Sequence, residues 1–197
     1  MNIGVLGLQG AVSEHLLMLR SINVEGKVVK HVEDLRGIDG LIIPGGESTT
    51  IGRLMKQYGF IEQIRQFSNE KKPVFGTCAG MISLASQIRD QQESYLELMD
   101  ITVARNAFGR QKDSFEVSLP IDHIGDDIQA VFIRAPLIEK VGPNVEVLAS
   151  FDDSIVMARQ EHLLATSFHP ELTNDSRVHQ YFVNMVSKYV FGDDSSL

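Results

Sequence analysis

The chain has 197 residues, a length that suits one domain with a substantial hydrophobic core. Hydrophobic residues make up 43% and charged residues 22%, as in soluble globular proteins, and the net charge of −8 argues against general binding to nucleic acid or anionic membranes. The single cysteine excludes an internal disulfide and any metal site built from cysteines.

The N-terminal residues carry neither a basic segment nor a long apolar run, and no stretch reaches the ~18 apolar residues that span a bilayer. We therefore expect a cytoplasmic protein, in a reducing compartment where a free thiol stays available. A single domain is predicted for residues 1–191, followed by a disordered tail at residues 192–197.

Short apolar runs in the first part of the chain predict three strands, at residues 3–8, 27–32 and 40–43. Between the first two, apolar residues at helical spacing predict a helix from about Val12 to Ile22. His15 lies on this helix, and we expect it to be a surface or capping residue rather than a catalyst.

The third strand runs into a glycine-rich loop, Pro44-Gly45-Gly46-Glu47-Ser48-Thr49-Thr50. Its two glycines leave a backbone that is free to point N–H groups at a ligand. Ser48 or Thr49 is expected to cap the helix that follows, to about Tyr58. The loop lacks the Gly-Lys-Ser/Thr of a P-loop, and by itself an ordinary strand–helix turn is the simpler interpretation.

A second strand–turn–helix pattern contains the cysteine. After a predicted helix at residues 60–69, an apolar run ends in Gly76-Thr77-Cys78-Ala79-Gly80, and a helical pattern continues to Ala85. This is the layout of a nucleophile elbow with cysteine in place of serine. It places Cys78 at a helix N-terminus, where the dipole favours a thiolate. A lone cysteine is more often a small buried hydrophobic residue, so a catalytic interpretation needs a base elsewhere in the chain.

The rest of the chain is predicted to be rich in strands. Residues 87–93 are polar and loop-like, and strands at 99–105 and 115–121 are expected around a polar loop from Asn106 to Ser114, as a half-buried antiparallel pair. Further strands are predicted at residues 130–136, 145–150, 155–159 and 163–167. The last helix is predicted from about Asp175 to Val190, with His179 on its polar face.

This order of elements predicts an α/β protein with three layers. The early alternation of strands and helices implies a mixed, mostly parallel central sheet with helices on both faces, and the later strands suggest a small antiparallel extension. Ligands of such sheets bind beyond the carboxyl ends of the strands. The loops at Gly45, Cys78 and His169 each follow an apolar strand, so they could meet at one edge.

His169 is the best candidate for the base, because among the six histidines only it directly follows an apolar strand and has a carboxylate, Glu171, two residues further on. In extended backbone these two side chains point to the same side, so Glu171 could accept from one imidazole nitrogen while the other faces Cys78. Pro170 favours an extended His169. A structural histidine–glutamate pair on the surface is the alternative.

An acyl-transfer site also needs donors for an oxyanion. The N–H of Ala79, next to the nucleophile, is one candidate donor. A second is expected from the loop at residues 45–47, where the N–H of Gly46 is the candidate. Together these parts predict hydrolysis of an amide or ester through a thioester on Cys78.

Several motifs resemble those of class I (triad-type) glutamine amidotransferases, and most closely the glutaminase subunit of pyridoxal 5′-phosphate synthase. The motifs are Gly7-Leu8-Gln9-Gly10-Ala11-Val12, the glycine-rich loop at 44–50, Gly76-Thr77-Cys78-Ala79-Gly80, Arg105-Asn106-x-Phe108-Gly109-Arg110-Gln111 with Ser114-Phe115-Glu116, Phe132-Ile133-Arg134-Ala135-Pro136, and Ser167-Phe168-His169-Pro170-Glu171-Leu172.

The resemblance implies a flavodoxin-like fold and a glutaminase that hydrolyses L-glutamine through Cys78, His169 and Glu171, without a cofactor or metal. It implies a synthase subunit as partner, which combines the ammonia with a pentose phosphate and a triose phosphate to make pyridoxal 5′-phosphate. It also implies a set of glutamine contacts: Gly46, Glu47, Ser48, Arg105, Ile133 and Arg134. Two alternatives stay open, a stand-alone cysteine hydrolase or peptidase of related fold and a non-catalytic binding subunit.

Overall fold

The first part of the chain alternates strands and helices, as its apolar pattern predicts. In the computed structural model, which describes residues 1–107 and 114–192, the strands are β1 (Ile3–Leu6), β2 (Gly26–Val29), β3 (Gly40–Ile43) and β4 (Val74–Thr77). The helices are α1 (Val12–Ser21), α2 (Ser48–Gln57), α3 (Phe60–Asn69) and α4 (Ala79–Leu84), with a 3-10 helix at Val32–Gly37.

The second part is mostly strands. They are β5 (Ala85–Ile88), β6 (Met99–Ala104), β7 (Ser114–Ile121), β8 (Gly125–Ile133), β9 (Leu137–Val141), β10 (Glu146–Phe151), β11 (Ser154–Gln160) and β12 (Leu163–Thr166). A short 3-10 helix (Pro170–Leu172) precedes α5 (Arg177–Phe191). β5 takes up the start of the segment that was expected to be a polar loop, and β9 had no predicted counterpart.

One mixed sheet organises the described residues, in the order β2-β1-β3-β4-β12-β11-β9-β6-β5, with β10 beside β11. β1 to β4 pair in parallel, and β11 runs antiparallel to β12. The predicted mixed α/β sheet is therefore confirmed. β12 also belongs to the parallel part, because it pairs with β4 from Leu163↔Val74 to Thr166↔Thr77. The strands before Cys78 and His169 therefore end at the same edge of the sheet, as expected.

The small antiparallel extension is a separate two-stranded sheet of β7 and β8. We expected β7 to pair with the strand before the polar loop, but β6 pairs with β5 and β9 instead. β7 pairs with the strand that follows it, because a short turn joins them into a hairpin. Phe115 and Phe132 stack at 4.7 Å between ring centroids on one face of this hairpin.

Helices cover both faces of the main sheet. α2, α3 and α4 pack on one face around Met55, Ile64 and Met81, whereas α1 and α5 pack on the other around Leu19 and Phe182. β4 is consequently buried on both sides, as its continuous apolar run predicts. Within the described residues, no helix is long and apolar enough to cross a membrane.

Candidate active site

Cys78 lies in a sharp turn between β4 and α4, as the elbow motif predicts. Its backbone N–H donates to the carbonyl of Thr166 at 2.8 Å, and its φ of 50° is a strained value for a residue with a side chain. A Cβ atom on Gly80 would lie 2.0 Å from the carbonyl oxygen of Ile43, so only glycine lets α4 pack this closely on β3. The turn leaves the Cys78 residue 7% exposed at the carboxyl edge of the sheet.

The structure brings His169 and Glu171 to the same edge. His169 lies beside Cys78, since both side chains contact the position of Gly45, and its Nδ1 lies 2.7 Å from Oε1 of Glu171. The loop after β3 closes over the pair, since a Cβ atom on Gly45 would lie 2.4 Å from Cε1 of His169 and 3.3 Å from Cβ of Cys78. The three predicted residues therefore form one contiguous group.

The backbone that connects His169 to Glu171 differs from the expected extended segment. His169 has φ −107° and ψ 86°, and Pro170 then begins the 3-10 helix that contains Glu171. Proline suits the first position of a helix because it lacks the N–H that would be unpaired there. Glu171 thus reaches back to His169 through a helical turn rather than along one side of a strand.

The surroundings of His169 favour the protonated form of its imidazole. Burial by itself lowers the pKa of its imidazole, but hydrogen bonds to Cys78 and Glu171 and the charges of both groups raise that pKa to about 10. An imidazolium next to the sulfur is the environment of a nucleophilic cysteine, and it holds a proton ready for a leaving group.

A cavity of about 420 Å³ opens above Cys78 and His169. Its wall includes every residue expected to contact glutamine: Gly46, Glu47, Ser48, Arg105, Ile133 and Arg134. Gln9, Gly10, Asn106 and Pro136 complete much of the rim. Two rim residues, Asn106 and Arg134, have positive φ values of 48° and 42°, so the backbone is strained around the opening as well as at the cysteine.

Glu47, rather than Ser48 or Thr49, caps α2. Its carboxylate accepts from the N–H groups of Thr49 at 3.1 Å and Thr50 at 2.7 Å. The hydroxyls of the same two threonines also donate to it, and they lower the pKa of Glu47 to about 2. Ser48 cannot act as the cap because it is already the first residue of the helix. Nη2 of Arg105 lies 3.6 Å from Glu47, so the rim presents neighbouring charges of both signs.

The glycine-rich loop is held from two sides. The carbonyl of Gly45 accepts from the N–H of Ala11 at 3.0 Å, and the N–H of Glu47 donates to Oε1 of Gln9 at 2.8 Å. On the sheet side, the N–H of Gly45 donates to Oγ1 of Thr77 at 3.0 Å. The loop after β1 and the end of β4 therefore fix the backbone next to Cys78.

The predicted environments of two histidines near this site were wrong. His15 was expected at the surface and His179 on a polar helix face, yet both are 0% exposed. α1 and α5 pack on the same face of the sheet, so their polar side chains meet behind Glu171. Helical spacing is the sequence signal for their burial, because His15 follows Val12 by three residues and His179 precedes Phe182 by three, which puts each histidine on the apolar face of its helix.

Part of the predicted site falls on residues outside the described ranges. Residues 108–113 include Arg110 of the family motif and most of the polar loop predicted from Asn106 to Ser114. The predicted tail at 192–197 also lies outside them except for Gly192.

An α/β sheet with a cysteine elbow on one strand and a His-x-Glu segment after the parallel neighbour has the architecture of the class I glutamine amidotransferases. The chain belongs to the SNO glutamine amidotransferase family, whose model matches residues 5–188.

Three similar proteins illustrate this relationship. The chain is 60% identical over 186 residues to the pyridoxal 5′-phosphate synthase subunit PdxT of Niallia circulans, covering 94% of this chain and 98% of the relative. The protein of the same name from Halalkalibacterium halodurans is 59% identical over 95% of each chain. A crystal structure of a glutamine amidotransferase superposes with a TM-score of 0.90 at 45% identity, covering 94% of this chain and 98% of the other.

Proposed function

We propose that this chain is the glutaminase subunit of a pyridoxal 5′-phosphate synthase. It hydrolyses L-glutamine to L-glutamate and ammonia and supplies the ammonia to a synthase subunit that makes pyridoxal 5′-phosphate. The observation that carries the proposal is the contiguous group of Cys78, His169 and Glu171 beneath a charged cavity. High identity to two PdxT proteins over nearly the whole chain supports it. A cytoplasmic location is part of the proposal.

The first half of the reaction forms a thioester. The sulfur of Cys78 attacks the side-chain amide carbon of glutamine, and the carbonyl oxygen becomes an oxyanion. The N–H groups of Ala79 and Gly46 are the proposed donors to that oxyanion. His169 then gives its proton to the amide nitrogen, the carbon–nitrogen bond breaks, and ammonia leaves.

The second half releases glutamate. His169, now neutral, takes a proton from water while the water oxygen attacks the thioester carbon. The carbon–sulfur bond breaks and Cys78 leaves as a thiolate, which restores the starting pair. Glu171 orients the imidazole through its 2.7 Å contact with Nδ1 and stabilises the imidazolium without taking its proton.

The charges at the rim suit the two ionic groups of a free amino acid. The ionised carboxylate of Glu47 is a partner for the α-ammonium of glutamine, and Arg105 or Arg134 is a partner for its α-carboxylate. Gly46, Ser48 and Ile133 complete the proposed contacts. This pattern favours free glutamine over an internal glutamine of a peptide, in which both ionic groups are absent.

Docking of the synthase subunit is proposed to complete the oxyanion hole. The carbonyl of Gly45 accepts from Ala11 beside Gln9 and Gly10, which are exposed or half-buried at the rim. A partner that contacts these residues can therefore rotate the Gly45–Gly46 peptide and so aim the N–H of Gly46. Such control prevents the loss of ammonia to solvent.

Glutamate release from glutamine, measured with and without candidate synthase subunits, tests the proposal. We expect release that rises when a synthase subunit binds. Cleavage of peptides or other amides without any partner would favour a stand-alone hydrolase instead. A synthase whose product formation from glutamine survives alkylation of Cys78 would identify a non-catalytic binding subunit.

A further inference from the structure

The carboxylate of Glu171 has a second oxygen that the proposed mechanism does not use. Oε1 contacts His169, whereas Oε2 is buried and has no hydrogen-bond partner among the residues that the structure describes. Nε2 of His15 lies 3.6 Å from this oxygen. A buried carboxylate oxygen without a hydrogen-bond donor destabilises the folded state. The position of His15 next to this oxygen therefore needs an explanation.

His15 stands at the centre of a buried polar cluster that we call the rear cluster: His15, Thr77 and His179. Nδ1 of His15 lies 2.9 Å from Nε2 of His179, and Nε2 of His15 lies 3.2 Å from Oγ1 of Thr77. Thr77 also accepts from the N–H of Gly45. The rear cluster therefore connects the free oxygen of Glu171 with the loop that bears the proposed oxyanion donor.

Electrostatics selects one arrangement of protons in this cluster. If Nε2 of His15 were unprotonated, its lone pair would face the anionic oxygen of Glu171, and the resulting repulsion would be strong in a buried site. With a proton on Nε2, His15 donates toward Oε2 of Glu171 and Oγ1 of Thr77. Its Nδ1 must then accept from Nε2–H of His179. Nδ1 of His179, which lacks a partner in the described structure, is left as an unpaired acceptor rather than an unpaired donor.

Both histidines are neutral in this arrangement. Burial is the main cause that lowers the pKa of His15 well below its usual value, and repulsion from the protonated forms of His179 and His169 lowers it further. Burial likewise lowers the pKa of His179 to about 3. The rings of His179 and Phe75 meet edge to face at 6.0 Å, so the cluster has an aromatic wall that admits no compensating charge from that side. The rear cluster therefore interacts with Glu171 through the dipoles of neutral hydrogen-bonding groups and not through a net charge.

We propose that His15 is a positioning residue of the glutaminase site, which holds Glu171 and Thr77 through its Nε2–H while His179 fixes its tautomer. The inference rests on the proposed function and extends it to two residues outside the triad. A stability role alone explains the cluster poorly, because buried polar side chains are commonly less stabilising than apolar ones of similar volume.

Nitrogen-15 NMR of histidine-labelled protein tests the tautomer without any substitution. At neutral pH we expect His15 and His179 each to be neutral with the proton on Nε2. Assignments are made from the spectra of His15→Gln and His179→Phe variants. A proton on Nδ1 of His15, or a charged His15, overturns the proposal.

Kinetics of His15→Leu and His15→Gln test the role. Leu removes the donor, whereas the amide nitrogen of Gln can occupy about the position of Nε2. For His15→Leu we expect kcat to fall by about 10- to 100-fold, as when an outer hydrogen-bond partner of a functional side chain is lost. KM for glutamine should change less than about twofold because no substrate contact is removed. His15→Gln should recover most of kcat.

Controls separate this proposal from stability and from the proposed function. His162→Leu removes another largely buried histidine, one that contacts Ser68 far from the site, and should leave kcat unchanged.

All variants are assayed with the synthase subunit, beside wild type and Cys78→Ala. If wild type is inactive or Cys78→Ala is active, the proposed function fails. If those two behave as expected but His15→Leu keeps wild-type kcat, only the positioning role fails. If His15→Leu does not fold, the double variant with His15→Leu and His179→Phe, which makes the cluster apolar, takes its place under the same criteria.

Discussion

Glu171 separates two groups of histidines that differ in charge although both are buried. In front of it, hydrogen bonds and charges from Cys78 and Glu171 raise the pKa of His169 to about 10 against the effect of burial. Behind it, burial lowers the pKa of His179 to about 3, and its nearest polar neighbour is the neutral His15. The comparison shows that partners, rather than depth, decide the charge state. In the proposed mechanism, the front side transfers protons and the rear side only holds the geometry.

The largest effect is expected at the front, from Cys78→Ala. Because Cys78 is the only thiol in the sequence, its loss should reduce glutamate release by at least about 10⁴-fold, as for other nucleophiles of triads. Thermal unfolding should show that the fold is retained. Glutamate production at the wild-type rate by purified Cys78→Ala would contradict the assignment.

His169→Asn should be nearly as damaging, since the proposed mechanism has no other proton carrier. Glu171→Gln should cost about 10- to 100-fold less than His169→Asn, because Glu171 orients the imidazole but does not transfer the proton. The measurement is kcat at saturating glutamine. If substitutions of His15 or His179 lowered kcat more than His169→Asn, the assignment of proton transfer to His169 would be contradicted.

Substitutions at the cavity rim should change KM, in contrast to those behind Glu171. Loss of a charged hydrogen bond to the α-carboxylate, by Arg105→Ala or Arg134→Ala, should raise KM for glutamine by about 10- to 100-fold with a smaller effect on kcat. Steady-state kinetics of both variants decide which arginine binds. Unchanged KM in both would place the carboxylate elsewhere.

The smallest effects concern stability and pH, and the two groups should act in opposite directions. The folded pKa of His169 is raised, so its contribution is present below pH 6.5 and is lost as pH rises toward about 10. The folded pKa of His179 is lowered, so its contribution is present above pH 6.5 and is lost as pH falls toward about 3. A difference of one bound proton between the folded and unfolded states changes Tm by roughly 3 °C per pH unit. His169→Asn should flatten the alkaline limb of Tm against pH and His179→Phe the acid limb. Unchanged limbs would contradict these charge states.

Local sequence predicted the front of the site far better than the rear. Cys78 and His169 follow strands with recognisable turns, and strand ends of one parallel sheet meet at one edge. The polar character of His15 and His179 predicts exposure, whereas their burial depends on how α1 and α5 pack against a distant strand. The sequence does not specify that β4 is the neighbour of β12, because an apolar run has the same pattern whichever strand it pairs with. The Glu47 cap lay one residue before the expected position.

The pairing of β4 with β12 has a consequence for protein engineering. Cys78 and His169, the proposed nucleophile and base, follow adjacent parallel strands, whose separation of about 4.8 Å hardly varies among proteins. Insertions in the loops far from these two strands should therefore leave the reacting pair intact, and a graft into another flavodoxin-like sheet needs both strands with their turns. One extra residue between Thr166 and His169 would instead swing the imidazole away from the sulfur, although every catalytic side chain would still be present.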